Sequence, residues 1–282
     1  MTGSSTVSED YGQRPIAVET EDLVCGYDGR DVLHGVTLRV PVGGFLGLVG
    51  PNGSGKTTLL RALAGIVRPT RGTVRVMGQP VGMLSPRALA RTIAVVPQSL
   101  ETVFAFTVEE IVAMGRYPHL RRLQPQSAAD RDIVERALRD AGIEHVRDRP
   151  VTEISGGERQ LAVIARALAQ EAQILLLDEP TSQLDLAHQR EVMRLLLNLN
   201  RARGTTMIMV SHDLNLAAAH CDTLAVLSQG RLHSVGPPAT VLNEETVATV
   251  YGVESHVAPH PLTGQPHLYL LPISRPSAPD AL

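Results

Sequence analysis

Tryptophan is absent from this 282-residue chain, and aromatic residues make up only 3% of it. A chain so poor in rings offers no stacking platform for single-stranded nucleic acid. Charge of either sign is also lacking in excess: 26 basic and 29 acidic residues are dispersed along the chain, for a net charge of −3. Nothing here is built for a polyanion, and nucleic acid is excluded as a partner. The two cysteines, Cys25 and Cys221, stand far apart with no CxxC pair. That excludes a disulfide framework and a cysteine zinc site, and predicts a reduced, cytoplasmic setting. Long apolar runs are missing as well. ILLL (Ile174 to Leu177) is typical of the longest, far short of the roughly 18 residues a membrane helix requires. The N-terminus is polar and acidic where a signal peptide is basic and then apolar. The chain is not expected to cross a membrane by itself.

What is present is an alternation of short buried runs with helical patterns. Strands are expected at IAVET, VTLRV, FLGLVG, TVRVMG, IAVVPQ, ILLLDE, TTMIMVS, TLAVLS and RLHSVG, and helices at 56–66, 107–115, 128–141, 156–170, 186–202 and 213–220. This is an α/β fold with a parallel sheet. The first strands come without helices between them, which predicts an antiparallel patch beside the core. Residues 99–170 read as a helical insertion, residues 1–15 and the end of the stretch 254–282 as disordered tails, and 16–253 as the folded domain.

Residues 50 to 58 read GPNGSGKTT, following FLGLV and preceding LLRALAGI. Strand, loop, helix is the context that a phosphate-binding loop requires. Glycines at 50, 53 and 55 let successive N–H groups point inward, and the helix opening at Lys56 adds its positive end. Lys56 then meets the β- and γ-phosphates, and the Thr57 hydroxyl meets Mg²⁺. The nucleotide-binding stretch is Gly50, Pro51, Asn52, Gly53, Ser54, Gly55, Lys56, Thr57 and Thr58.

Two carboxylates, Asp178 and Glu179, close the buried run ILLLDE. Beside a phosphate loop, Asp178 reaches the Mg²⁺ shell and Glu179 a water in line with the γ-phosphate, as general base. His212, after TTMIMVS, is placed to bond the γ-phosphate or that water, and Gln98, after IAVVP, to bind Mg²⁺ or water through its amide oxygen.

ISGGERQ adds a second anion site. Ser155 and Glu158 have capping-box spacing, and Gly156 and Gly157 leave N–H groups uncovered at the start of a helix. One chain with two phosphate sites and one set of catalytic groups suggests that the second site serves a neighbour's nucleotide.

The ordered set Tyr27, GPNGSGKT, Gln98, SGGE, LLLDE, SQLD (Ser182 to Asp185) and His212 resembles the nucleotide-binding subunit of ATP-binding cassette (ABC) transporters over residues 16–253. The resemblance implies a P-loop NTPase core with a helical subdomain, and a head-to-tail homodimer with each ATP between one cradle and the partner's Ser155 to Gly157. It further implies Tyr27 stacking on adenine and Asp185 crossing the dimer interface. Glu158 departs from the family's usual Gln, yet either side chain completes the capping box.

With one cassette and no membrane span, the family pattern implies a separate integral membrane permease docking on the helical insertion, around Gln98 to Tyr117. It places the chain peripherally on the cytoplasmic face, with an extracytoplasmic substrate-binding protein acting through the permease. TVEEIVAMGRYPHL (Thr107 to Leu120) resembles importers of ferric siderophores, haem and cobalamin. Other uses of the same chemistry are a cytosolic cassette ATPase of the iron–sulfur scaffold type and an exporter subunit; the GRYPH-like segment separates the importer from both. DNA-repair and ribosomal cassettes carry coiled-coil insertions or two cassettes, and neither pattern is here. His256, His260 and His267, at spacings of four and seven without acidic or cysteine support, define no metal site, and HLYLLP reads as an edge strand.

Overall fold

The computed structural model describes residues 14–98, 105–121 and 125–272. Both expected tails lie almost wholly outside these residues, as does part of the helical insertion.

The chain opens with two long strands, β1 (Ile16–Tyr27) and β2 (Arg30–Pro41), followed by β3 (Phe45–Val49) and helix α1 (Lys56–Leu63). Next come β4 (Arg71–Val76), β5 (Gln79–Pro80), α2 (Pro86–Thr92) and β6 (Ile93–Val96). Helices α3 (Val108–Ala113), α4 (Ala128–Ala141) and α5 (Gly156–Ala169) then form the helical insertion. The core resumes with β7 (Ile174–Asp178), α6 (Leu186–Arg203), β8 (Thr206–Val210), α7 (Leu214–His220), β9 (Thr223–Ser228) and β10 (Arg231–Gly236). Helices α8 (Pro238–Val241) and α9 (Glu244–Tyr251) lead to the hairpin β11 (Ser255–Pro259) and β12 (Pro266–Leu270).

Six strands form one sheet in the order β10-β9-β3-β8-β7-β6, parallel except for β10 at the edge. Period-two alternation of side chains explains how one apolar run serves two cores. Phe45, Leu175, Leu177, Met207 and Met209 face α3 to α7, whereas Leu46, Leu48, Leu176, Ile208 and Val210 face the other way. Both faces are covered, so the strands read as unbroken apolar runs. The second core holds α1 between this sheet and the antiparallel sheet β2-β1-β4-β5. The α/β fold with an antiparallel patch is the one expected from the sequence.

Several boundaries differ. β1 was expected to stop at Thr20 but continues to Tyr27 through an irregularity at Glu21–Asp22, where Asp22 takes φ 44°. The bulge breaks the alternation that marks a strand. Helices α2, α8 and α9 were not expected. α2 is announced by Ser85, whose hydroxyl accepts the Ala88 N–H, and by Pro86 at its first position. α9 is announced by the Asn243 cap, Glu244 and Glu245 in the first turn, and Gly252 in the left-handed conformation after it. HLYLLP does form a strand, paired with β11.

Candidate functional site

Four neighbouring parallel strands, β3, β8, β7 and β6, bring their carboxyl ends to one edge of the sheet, where crevices form in α/β folds. The loop after β3 carries the glycine-rich turn. Gly50 and Gly55 take φ 148° and 104°, and a side chain at Gly50 would overlap the Leu227 carbonyl oxygen. Only glycine fits that close approach. Lys56 is buried and donates from Nζ to the carbonyl oxygens of Gly50 at 2.8 Å and Pro51 at 2.9 Å. Burial lowers its pKa, and Glu179 and Asp178 pull it back up. The ammonium is thus held at the loop by two carbonyls that a stronger acceptor can replace. Gly55 and Thr58 are buried, Asn52 and Gly53 exposed, and Pro51 and Thr57 half-buried. Among the described residues the buried Ser54 hydroxyl has no hydrogen-bond partner.

At the end of β7, Asp178 Oδ1 lies 3.4 Å from the Thr57 hydroxyl, which donates to it. Burial raises its pKa, and the Glu179 charge adds to that. Glu179 follows with φ 50°, uncommon for a residue with a side chain. Its N–H donates to the Val210 carbonyl at 3.2 Å, which locks the turn against β8. Its side chain, only 14% exposed, sits between two groups: Gln98 Nε2 donates to Oε2 at 2.8 Å, and His212 Nε2 contacts Oε1. The residues expected to act on the nucleotide therefore meet in one cluster within the chain. Tyr27 is partly exposed beside it, and its hydroxyl accepts from Arg61 at 3.3 Å.

The SGGE turn is built differently. Ser155 caps α5, and its N–H and hydroxyl donate to Glu158 Oε2 at 2.8 and 2.7 Å while its oxygen accepts the Glu158 N–H. Glu158 also pairs with His145 at 3.2 Å, and the Ser155 bonds hold its carboxyl below the usual range. Ser155 and Gly156 are exposed and Gly157 is buried. Among the described residues these groups bond to one another and to His145, not to the phosphate loop. Asp185 caps α6, accepting from His188 N at 2.9 Å and pairing with His188 Nδ1 at 2.8 Å. These bonds hold its carboxyl below the usual range.

Three contacts were missed by the sequence reading. His188 and His145 pair with expected site residues, and the half-buried Tyr251 at the end of α9 bonds to the Gly50 backbone, its pKa pushed up to about 12 by burial. Asp185 and His188, three apart at a helix start, carried a local signal as a cap pair. The other two contacts are long-range and carried none.

Around GRYPH, Arg116 is buried, donating to Asp130 at 3.0 Å, Glu171 at 2.8 Å and the Ala169 carbonyl at 2.7 Å. The Pro118 carbonyl accepts from Arg87 and Arg91. The segment is thereby fixed between the insertion and α2, and Tyr117 stands 63% exposed. Beside it runs a groove of about 1190 Å³ whose lining includes Ile66, Val81, Leu89, Met114 and Tyr117. Among the described residues no helix is long and apolar enough to cross a membrane, and no three His, Cys, Asp or Glu side chains come together as a metal site.

The chain matches the ABC transporter family model over residues 33–182. It is 42% identical over 89% of its length to the cobalamin import ATP-binding protein of Halobacterium salinarum, of which it spans 63%. It is 38% identical over 91% of its length to the ferric enterobactin transport ATP-binding protein of Escherichia coli, covering 95% of that chain. Among solved structures, an inward-facing ABC transporter of metal-chelate type superposes with TM-score 0.80 at 30% identity, covering 92% of this chain and 98% of that one. A dimeric ATP-binding cassette bound to ADP and phosphate gives 0.68 at 28% identity, over 78% and 98%. A phosphate loop, two strand-end carboxylates and an SGG-capped helix on this fold, together with these matches, lead to one conclusion: the chain belongs to the ABC transporter family of ATP-binding subunits.

Proposed function

We propose that this chain hydrolyses ATP as one half of a head-to-tail homodimer and so powers uptake of an iron chelate, haem or a corrinoid through a separate membrane permease. The carrying observation is the cluster at the strand ends, where Glu179 is held between Gln98 and His212 beside Lys56 and the Thr57–Asp178 pair. The cargo class follows from the relatives, named for cobalamin and ferric enterobactin transport. The cytoplasmic membrane face is the place for such a subunit, and a binding protein outside acts on it only through the permease.

Lys56 exchanges its two carbonyl partners for phosphate oxygens, and the uncovered N–H groups of the loop take the rest of the charge. Tyr27 supplies a ring face for the base. Asp178, the Thr57 hydroxyl and the amide oxygen of Gln98 form a hard-oxygen set that fits Mg²⁺, and a buried Asp178 with raised pKa is a carboxylate short of a cation. Mg²⁺, when bound, neutralises charge on the β- and γ-phosphate oxygens. Glu179 takes the proton of the attacking water, oriented by Gln98 and His212. Ser155 to Glu158, whose side-chain bonds among the described residues run to one another and to His145, close on the partner's nucleotide, and Asp185 crosses between the copies. Tyr117 and the groove beside it receive the permease.

The test is purification of the chain from gently solubilised native membranes with Mg²⁺ and ATP. A polytopic membrane protein is expected with it. Only soluble partners, with the chain absent from membranes, would overturn the transport reading.

A further inference from the structure

The first turn of α6 holds two residues that the cluster above does not use, His188 and Gln189. The Gln189 amide donates to the carbonyls of Thr181 at 3.3 Å and Leu184 at 3.1 Å. His188 donates its backbone N–H to Asp185 and pairs with it through Nδ1. Together they fix the loop between Glu179 and Asp185, whose upstream half is closed by Ser182, donating to the Glu179 carbonyl from N at 3.1 Å and Oγ at 3.0 Å. The other edge of the His188 ring meets a different element. A side chain at Gly157 would overlap its Cδ2, Cγ and Nε2 atoms. Gly157 therefore has a second reason to be glycine, beyond an open helix start: the imidazole occupies the space of its side chain.

We infer that His188 is a positioning residue that locks the Glu179–Asp185 loop to the opening turn of α5, so that the carboxylate loop and the SGGE turn move as one body. The inference rests on the proposed dimer for its consequence. There the SGGE turn grips the partner's nucleotide while the loop presents this chain's own Glu179 to its own nucleotide. His188 makes the grip on one nucleotide set the geometry around the other. A ring wedged on a buried glycine transmits displacement because packed interiors deform little. The carboxylate contact keeps the ring in one orientation.

The test uses the full chain with His188→Ala, His188→Asn, Gly157→Ala and the double variant Gly157→Ala/His188→Ala. Turnover and KM for ATP, binding of a fluorescent ATP analogue to the isolated protomer, ATP-dependent dimerisation and Tm are read for each. His188→Ala is expected to lower kcat by up to about 10²-fold, the scale of a catalytic group displaced by an ångström, with analogue binding close to wild type because the cradle is untouched. His188→Asn keeps a donor near the Nδ1 position and is expected to recover part of the lost turnover. Gly157→Ala is expected to lower Tm and block dimerisation, and the double variant to regain Tm. Wild-type kcat in His188→Ala overturns the inference, and so does a double variant no more stable than Gly157→Ala. Tm is read within one chain, so its rescue stands or falls independently of the dimer; if neither wild type nor Glu179→Gln dimerises with ATP, the dimer reading fails instead.

Discussion

The two helix starts proposed to bind phosphate differ in how they are completed. At α1, the positive helix end is met within the chain by Lys56, Asp178, Glu179, Gln98 and His212, side chains delivered from four strands. At α5, the capping box pairs the Ser155 N–H with the Glu158 carboxylate and the Glu158 N–H with the Ser155 hydroxyl, and among the described residues the exposed Ser155 and Gly156 bond to none of the cluster at the strand ends. In the proposed dimer the first site supplies the chemistry and the second the wall that closes the partner's site. A helix start alone is a binding device, and only neighbouring strand ends make it a reaction site.

The sharpest way to break this contrast is at the cradle. Lys56→Ala is expected to lower kcat/KM for ATP on the order of 10³-fold, the scale of losing a preorganised charge at a developing anion, and to abolish analogue binding by the isolated protomer. Near-normal binding in that variant would mean the loop is only a turn.

Ser155→Ala probes the other half. Loss of the cap is expected to cost about 1 kcal/mol of stability and to weaken ATP-dependent dimerisation, while the protomer binds the analogue as wild type does. Calorimetric unfolding and a binding titration separate the two effects. Impaired binding by the isolated protomer would show that α5 serves its own chain's nucleotide.

The smallest effect is one of pH. The folded pKa of Asp178 is raised by burial and by Glu179, so its contribution favours folding below the unfolded value near 3.9 and is lost as pH rises through the raised folded value. At neutral pH without nucleotide the carboxylate is a liability. Asp178→Asn is then expected to raise Tm at pH 7, with little change near pH 4. The stabilisation of wild type by Mg²⁺ and ATP should exceed that of the variant. Equal Tm values at pH 7 would remove the burial penalty from the account.

How much of this was legible follows the same contrast. The cradle could be read because its residues lie just beyond strands buried on both faces, in the loop and helix start after β3 or at the ends of β6, β7 and β8, so unbroken apolar runs such as ILLL and MIMV mark the place where polar residues emerge. The α5 turn could be read because a capping box is local. Tyr251 on Gly50 and His188 on Gly157 could not, since each joins residues brought together only by tertiary packing. The second half of β1 is hidden because the bulge at Glu21–Asp22 shifts the alternation midway, whereas α2 carries a local signal in Ser85 and Pro86. Boundaries failed where local pattern and tertiary pairing disagreed.

The central claim is that wall and chemistry meet only between two copies. It is tested most directly by the solution mass and nucleotide content of Glu179→Gln with Mg²⁺ and ATP. That substitution leaves every binding group in place and removes the base, a loss of roughly 10²–10⁴ in rate. The account predicts a species of twice the protomer mass, holding two unhydrolysed ATP, that Ser155→Ala in the same chain prevents from forming. A protomer saturated with ATP that stays monomeric, or turns over at the wild-type rate, would contradict it.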